Sequence, residues 1–307
     1  MTIYSVRHIT TYRYKKPVAF GEHRMMLSPR EDPDQRLLDL NLEIDPKPSA
    51  LRWSRDVFGN RIAIAHFATQ AATLLFQSTM RIAHALTDIV DAEIEDFARR
   101  CPFAYGAEDM AHLVQFIERS GPHRDDKVRQ WAQSMMCSAA ATGTRAALVH
   151  LTRSIHETFK YVARHEKGIQ DPLATLSMRT GSCRDMAFFM IDALRSLGLA
   201  ARFVSGYLHV RSCAGGHARG GNTHAWVQAY VPGCGWIDFD PSSGIVGNRG
   251  LVRVAVVRDP RHAIPLRGMW IGRPGDSLDM KVEVKVSAAE ESPSLGLMPP
   301  STRPLPA

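Results

Sequence analysis

The sequence predicts an α+β protein: an N-terminal antiparallel β-sandwich, a helical stretch, then an α+β core built on an antiparallel sheet. Three observations carry this. Leu38, Leu40, Leu42 and Ile44 alternate with Asp39, Asn41 and Glu43, the period of two of a half-buried strand. Leu148, Leu151, Ile155, Phe159 and Val162 recur at helical spacing. Strand patterns then return after residue 200, behind an amphipathic helix at 183–197.

In chain order, residues 3–14, 37–44, 49–57, 61–68 and 73–83 read as strands, with Phe58-Gly59-Asn60 as a turn between two of them. Several short strands separated by turns fit a small sandwich. Helices follow from Asp91 to Pro102, over 108–119, over 125–141 after Gly121-Pro122, and over 146–162. Gly168 and Pro172 mark a loop. The helix at 183–197 turns Ala187, Met190, Ile191 and Leu194 inward and closes on Gly198. Strands at 200–210, 223–231, 235–240, 251–257 and 278–287 complete the core. The expected division is a β domain at 1–85, a core at 86–287 and a tail at 288–307. Pro293, Pro299, Pro300, Pro304 and Pro306 leave that tail too little apolar surface to order itself.

Composition narrows the function. The 307 residues are 45% apolar and 22% charged, an ordinary globular balance. No stretch is long and apolar enough for a membrane helix, so no membrane partner is expected. Met1 to His8 shows no signal-peptide pattern, and the cytoplasm is the expected location. Cys101, Cys137, Cys183, Cys213 and Cys234 form no Cys-x-x-Cys, against both a disulfide framework and a cysteine-rich zinc site. The net charge of +7 is spread along the chain with no basic stripe, so no nucleic-acid partner is expected.

Two segments carry chemistry. In Thr180-Gly181-Ser182-Cys183-Arg184-Asp185 the cysteine opens a helix, where the dipole and unsatisfied amides stabilise a thiolate. Some 40 residues on, Asn222 to Val231 and Trp236 to Asp240 form a hairpin around Pro232-Gly233-Cys234-Gly235. His224, Trp226, Gln228 and Tyr230 share one face of its first strand; Trp236, Asp238 and Asp240 share one face of its second. If the faces coincide, His224 and Asp240 are diagonal neighbours about 7–8 Å apart, within side-chain reach. Taken singly, Cys183 reads as a buried filler, His224 as a strand histidine and Asp240 as a turn acid before Pro241. Cys213, His217 and His224 match no common zinc spacing, and no metal or cofactor is expected. The glycine-rich 212–221 lacks the ending of a phosphate cradle and reads as a mobile loop gating the site.

Gly181-Ser182-Cys183-Arg184-Asp185, Ser205-Gly206-Tyr207, Thr223-His224-Ala225-Trp226 and Gly235 to Pro241 together resemble the core of the transglutaminase-like superfamily. Tyr12-Arg13-Tyr14, His23, Leu27-Ser28-Pro29-Arg30 and Asp56 to Asn60 resemble the N-terminal β domain of its bacterial members, and 254–268 resembles their C-terminal extension. The resemblance implies a papain-like core with a Cys-His-Asp triad of Cys183, His224 and Asp240. Asp240 is taken over Asp238 because the family's acid directly precedes the residue closing that strand. Arg184 stands where many relatives have Gln. The expected activity is thiol-dependent acyl transfer on a peptide or protein amide, hydrolytic in outcome, with the Cys183 N–H as oxyanion donor. Amine transfer by a protein-glutamine transglutaminase and a non-catalytic peptide-binding scaffold are the alternatives.

Overall fold

The computed structural model describes residues 1–87, 93–119, 126–139, 143–164, 168–210 and 223–290. Five strands open the chain: Thr2–Met25 (β1), Gln35–Asp45 (β2), Ala50–Arg55 (β3), Arg61–His66 (β4) and Gln70–His84 (β5). Ala107–Ile117 (α1), Asp126–Ala139 (α2) and Thr144–Thr158 (α3) follow, then Lys160–Tyr161 (β6), Pro172–Met178 (α4), Thr180–Gly181 (β7) and Cys183–Ser196 (α5). Ala201–Leu208 (β8), Thr223–Val231 (β9), Gly235–Asp240 (β10), Ile245–Val246 (β11) and Leu251–Val257 (β12) build the core sheet, and Leu266–Ile271 (β13) and Ser277–Glu290 (β14) end the described chain. No helix among the described residues is long and apolar enough to cross a membrane.

The protein is α+β with antiparallel sheets, and the N-terminal layers belong to one sheet. β1 runs on past the expected Tyr14 to Met25, with a register shift between Arg13 and Val18, where Lys15, Lys16 and Pro17 break the ladder. Its first half pairs with β5 on one edge and β14 on the other; its second half pairs with β4 and β13. The sheet curls about Tyr14, Val18, Phe20, Met25, Leu74 and Phe76. The first sheet therefore draws two of its strands from the far end of the chain. Of the C-terminal strands only β12 joins the core sheet, in the order β11-β10-β9-β8-β12; β13 and β14 return to the first sheet.

Three further expectations change. The helix expected from 91 to 102 is, over its described part, a single 3-10 turn at Asp96–Ala98. The Glu95 N–H is spent on the Pro232 carbonyl, and Gly233 lets the two chains meet: a Cβ there would lie 2.3 Å from the Glu93 oxygen. The loop expected after Gly168 contains α4, started by Asp171, whose side chain accepts from Leu173 N at 2.9 Å, with Pro172 in the first turn. The strand at 278–287 extends to 290; the tail from 291 lies outside the described residues.

α5 is the axis of the core. Met186, Ala187, Phe189, Met190, Ile191, Ala193 and Leu194 are all buried, so the helix is apolar on most of its circumference. It packs on Ala225, Val227 and Ala229 of β9 and among Leu148, Leu151 and Ile155 of α3. Full burial of each larger side chain contributes about 1.5–3 kcal/mol.

The two sheets meet through Tyr4, Val6, Met80 and Ile82 against Tyr207, Val252 and Val254. Two side-chain amides cap the outer edge of β12. Gln35 donates to Arg253 O and accepts from Arg253 N, both at 2.8 Å; Asn60 does the same with Val256, again at 2.8 Å. An edge that would otherwise be open is closed by the first domain.

Candidate functional site

The loop into α5 is built to present residue 183. A Cβ on Gly181 would sit 2.9 Å from the Asp185 Cβ, so only glycine fits. Ser182 caps the helix, its Oγ accepting from Asp185 N, while the Ser182 N–H and Oγ–H donate to Asp185 Oδ2 at 2.9 and 2.7 Å. Asp185 also accepts from Gln170 N and Arg164 Nη1, each at 2.8 Å. Burial opposes its charge, but the bonds from Gln170, Ser182 and Arg164 win and hold it below the usual carboxylate range. Asp185 thus supports the loop. Cys183, half-buried, is the first residue of the helix.

The hairpin register sets the other two residues. Trp236 faces Tyr230, Asp238 faces Gln228 and Phe239 faces Val227. His224 is therefore diagonal to Asp240, and its Nε2 lies 2.6 Å from Asp240 Oδ2. Asp240 is fully buried and accepts on Oδ1 from Ser242 N (3.0 Å), Ser242 Oγ (2.8 Å) and Ser243 N (3.3 Å). Both of its oxygens are fixed before any substrate arrives. Burial disfavours its charge, but His224 and the serine donors keep its pKa below normal. The serines are legible only in hindsight, as an Asp-Pro-Ser turn whose acid bonds its own backbone two residues on.

His224 also hydrogen-bonds Cys183. With Nε2 committed to Asp240, Nδ1 is the ring atom left for sulfur. Burial alone would weaken its hold on a proton; the charge and bond of Asp240 and the contact with Cys183 outweigh it and push its pKa up to about 10. At neutral pH the thiol faces an imidazolium. The structure brings Cys183, His224 and Asp240 together, while Cys213, His217 and the loop 211–222 lie outside the described residues.

Asp238 has a different task. It accepts from Trp226 Nε1 at 2.6 Å and from Arg253 Nη1 at 2.8 Å. Arg253, 3% exposed, also donates to Asp32 and Asp34 of the first domain, so all three acids converge on one guanidinium. Trp226 is fully buried and stacks beside the His224 ring, with centroids 6.0 Å apart and planes at 26°. Sequence reasoning placed Trp226 on the strand face of His224 but missed Arg253, whose partners lie more than 200 positions away on one side.

Residues 129–241 match the family described as the transglutaminase-like superfamily, and residues 4–83 match the bacterial transglutaminase-like N-terminal region. An uncharacterized protein of Mycobacterium leprae is 27% identical over 282 residues, 91% of this chain and 97% of that one. A protein-glutamine gamma-glutamyltransferase of Pseudomonas aeruginosa is 29% identical over 134 residues, 41% of this chain and 20% of that protein. The solved structure of a candidate cysteine protease from Cytophaga hutchinsonii shares the fold, with a TM-score of 0.70 and 19% identity over 95% of this chain and 93% of that one.

Proposed function

The chain belongs to the transglutaminase-like superfamily, and from that premise we propose that Cys183, His224 and Asp240 form the catalytic triad of an enzyme that hydrolyses amide bonds in a peptide or protein. The observation that carries this is the 2.6 Å bond between His224 and a fully buried, doubly anchored Asp240, on an imidazole that also bonds Cys183. Such a carboxylate fixes the tautomer and stabilises the imidazolium.

In this mechanism the Cys183 thiolate attacks the amide carbonyl. The Cys183 N–H, at the first turn of α5 and facing the positive end of the helix dipole, donates to the oxyanion. His224 then delivers its proton to the departing amine and afterwards takes one from the water that cleaves the thioester. No cofactor enters. Charge near the thiol favours water over an amine: Lys160, Arg179 and Arg184 are exposed, on or beside the segments leading into Cys183, and repel a lysine ammonium. A reducing compartment suits the free thiols Cys101, Cys183 and Cys234.

Amine transfer is the second reading, favoured by the similarity to the Pseudomonas aeruginosa transferase. One assay separates the two. A glutamine peptide is incubated with a fluorescent alkylamine, and ammonia, free acid and amine incorporation are followed in wild type and Cys183→Ala. Hydrolysis predicts acid and ammonia with little incorporation. Saturable incorporation lost in Cys183→Ala would establish transfer, and no Cys183-dependent product of either kind leaves the scaffold reading standing.

A further inference from the structure

A cavity of about 570 Å³ lies between the first domain and the outer face of the core sheet. Cys183, His224 and Asp240 do not line it. Its floor is a row across three strands: Arg202 on β8 faces Gln228 on β9, which faces Asp238 on β10. Its roof carries Asp32 and Asp34.

The charges in this cavity are unevenly matched. Arg253 meets three carboxylates, and Arg30 donates to Asp32 at 3.1 Å. Arg202 has no carboxylate within ion-pair distance among the described residues. Its Nε donates to Gln228 Oε1 at 2.9 Å, and one flat face lies 4.0 Å over the Trp236 ring. Those two contacts lock the guanidinium plane and leave both Nη groups without a partner among the described residues. Burial, and then the charge of Arg30, lower its pKa to about 9 against the opposing pull of Asp32 and Asp238. A half-buried guanidinium with no direct ion pair leaves its Nη edge open to a ligand that supplies one, and charge-assisted bonds of that kind are among the strong ones.

We infer that this cavity is a second ligand site, taking a carboxylate against the Nη edge of Arg202. A carboxylate brings a single charge and a planar pair of oxygens to that edge, whereas a phosphate dianion would bring twice the charge beside Asp32, Asp34 and Asp238. Trp236, Ile237 and Leu86 provide apolar wall for the carbon part. The carboxylate can come from a peptide C-terminus or from a small free acid; the planar, preset fork suits either.

Isothermal titration of the full chain tests this with three probes: N-acetyl-dialanine, its C-terminal amide, and propanoate. Saturable binding of an acid and none of the amide is expected. Binding of N-acetyl-dialanine alone assigns the site to peptide C-termini, and binding of both acids to carboxylates generally. Arg202→Gln, with an unchanged circular dichroism spectrum, is expected to weaken binding at least about ten-fold. Should that variant fail to fold, Arg202→Lys, which keeps the charge and loses the fork, is expected to do the same. Equal binding of acid and amide, undiminished binding in the variants, or no binding of either acid overturns the inference. None of these readouts depends on Cys183, so they are independent of the proposed activity.

Discussion

Trp226 makes to Asp238 the same diagonal bond that His224 makes to Asp240, two residues further along the same pair of strands. The two bonds are equal in length, 2.6 Å, and the two acids have opposite fates. Burial raises the pKa of Asp238 despite Arg253, whereas that of Asp240 is lowered. One acid serves the imidazole and the other locks the indole beside it.

Asp240→Asn is therefore expected to reduce turnover by up to about ten-thousand-fold with the fold intact, since an amide cannot hold the imidazole in the working tautomer. Asp238→Asn is expected to act on stability, by up to about 3–5 kcal/mol, because it leaves Arg253 short of a buried partner. Measuring kcat and urea unfolding for both variants separates the roles. A larger loss of kcat in Asp238→Asn than in Asp240→Asn would contradict the assignment.

Thiol labelling gives a test that needs no substrate. At pH 6, iodoacetamide is expected to modify Cys183 faster than Cys101 or Cys234, as read by peptide mass spectrometry, because only Cys183 faces an imidazolium. In His224→Ala that preference for Cys183 over Cys101 should be lost. Equal rates for Cys183 and Cys101 in the wild type would contradict activation of the thiol by His224.

Stability should peak near pH 6.5, between two histidines shifted in opposite directions. Burial against Tyr207 lowers the pKa of His8 to about 4, so the unfolded chain takes a proton near 6.5 that the folded chain refuses. That contribution, on the order of 3 kcal/mol, is complete above 6.5 and lost as pH falls toward 4. His224, raised to about 10, behaves in reverse: its contribution is complete below 6.5 and lost as pH rises toward 10. Thermal unfolding from pH 4.5 to 9.5 checks both limbs. His8→Gln should flatten only the acid limb.

The amide clamps on β12 give a measurable link between the domains. Asn60→Leu leaves the Val256 N–H and carbonyl buried without their partner, at about 1–3 kcal/mol for each unpaired group. A lower urea midpoint with an unchanged slope is expected. An unchanged midpoint would show that water replaces the amide at this edge.

The site was more legible in the sequence than the architecture around it. Cys183 stands out by its place after Gly181-Ser182, and the alternation in β9 and β10 puts His224 diagonal to Asp240 once their faces coincide, whereas the choice of Asp240 over Asp238 came from the family resemblance. α4 was hidden by its shortness, although Asp171-Pro172 is a start signal. What stayed out of view joins distant segments. Gln35 reaches Arg253, Asn60 reaches Val256, and β13 carries Gly268 so that His23 can lie against it, with no periodicity to announce any of them.

The pairing of Thr2 to Tyr14 with Ser277 to Glu290 bears on how the molecule is made. β1 has one edge completed by β14, a strand that follows the whole core in chain order. During translation β5 can zip onto β1 early, but the opposite edge remains an open ladder until residue 290 has emerged, after Cys183 and His224 have left the ribosome. The nascent protein thus carries a sticky β edge until β14 is made, exposed to pairing with neighbouring chains. A cut after residue 85 would make that exposure permanent, so the N-terminal domain is a poor candidate for expression on its own.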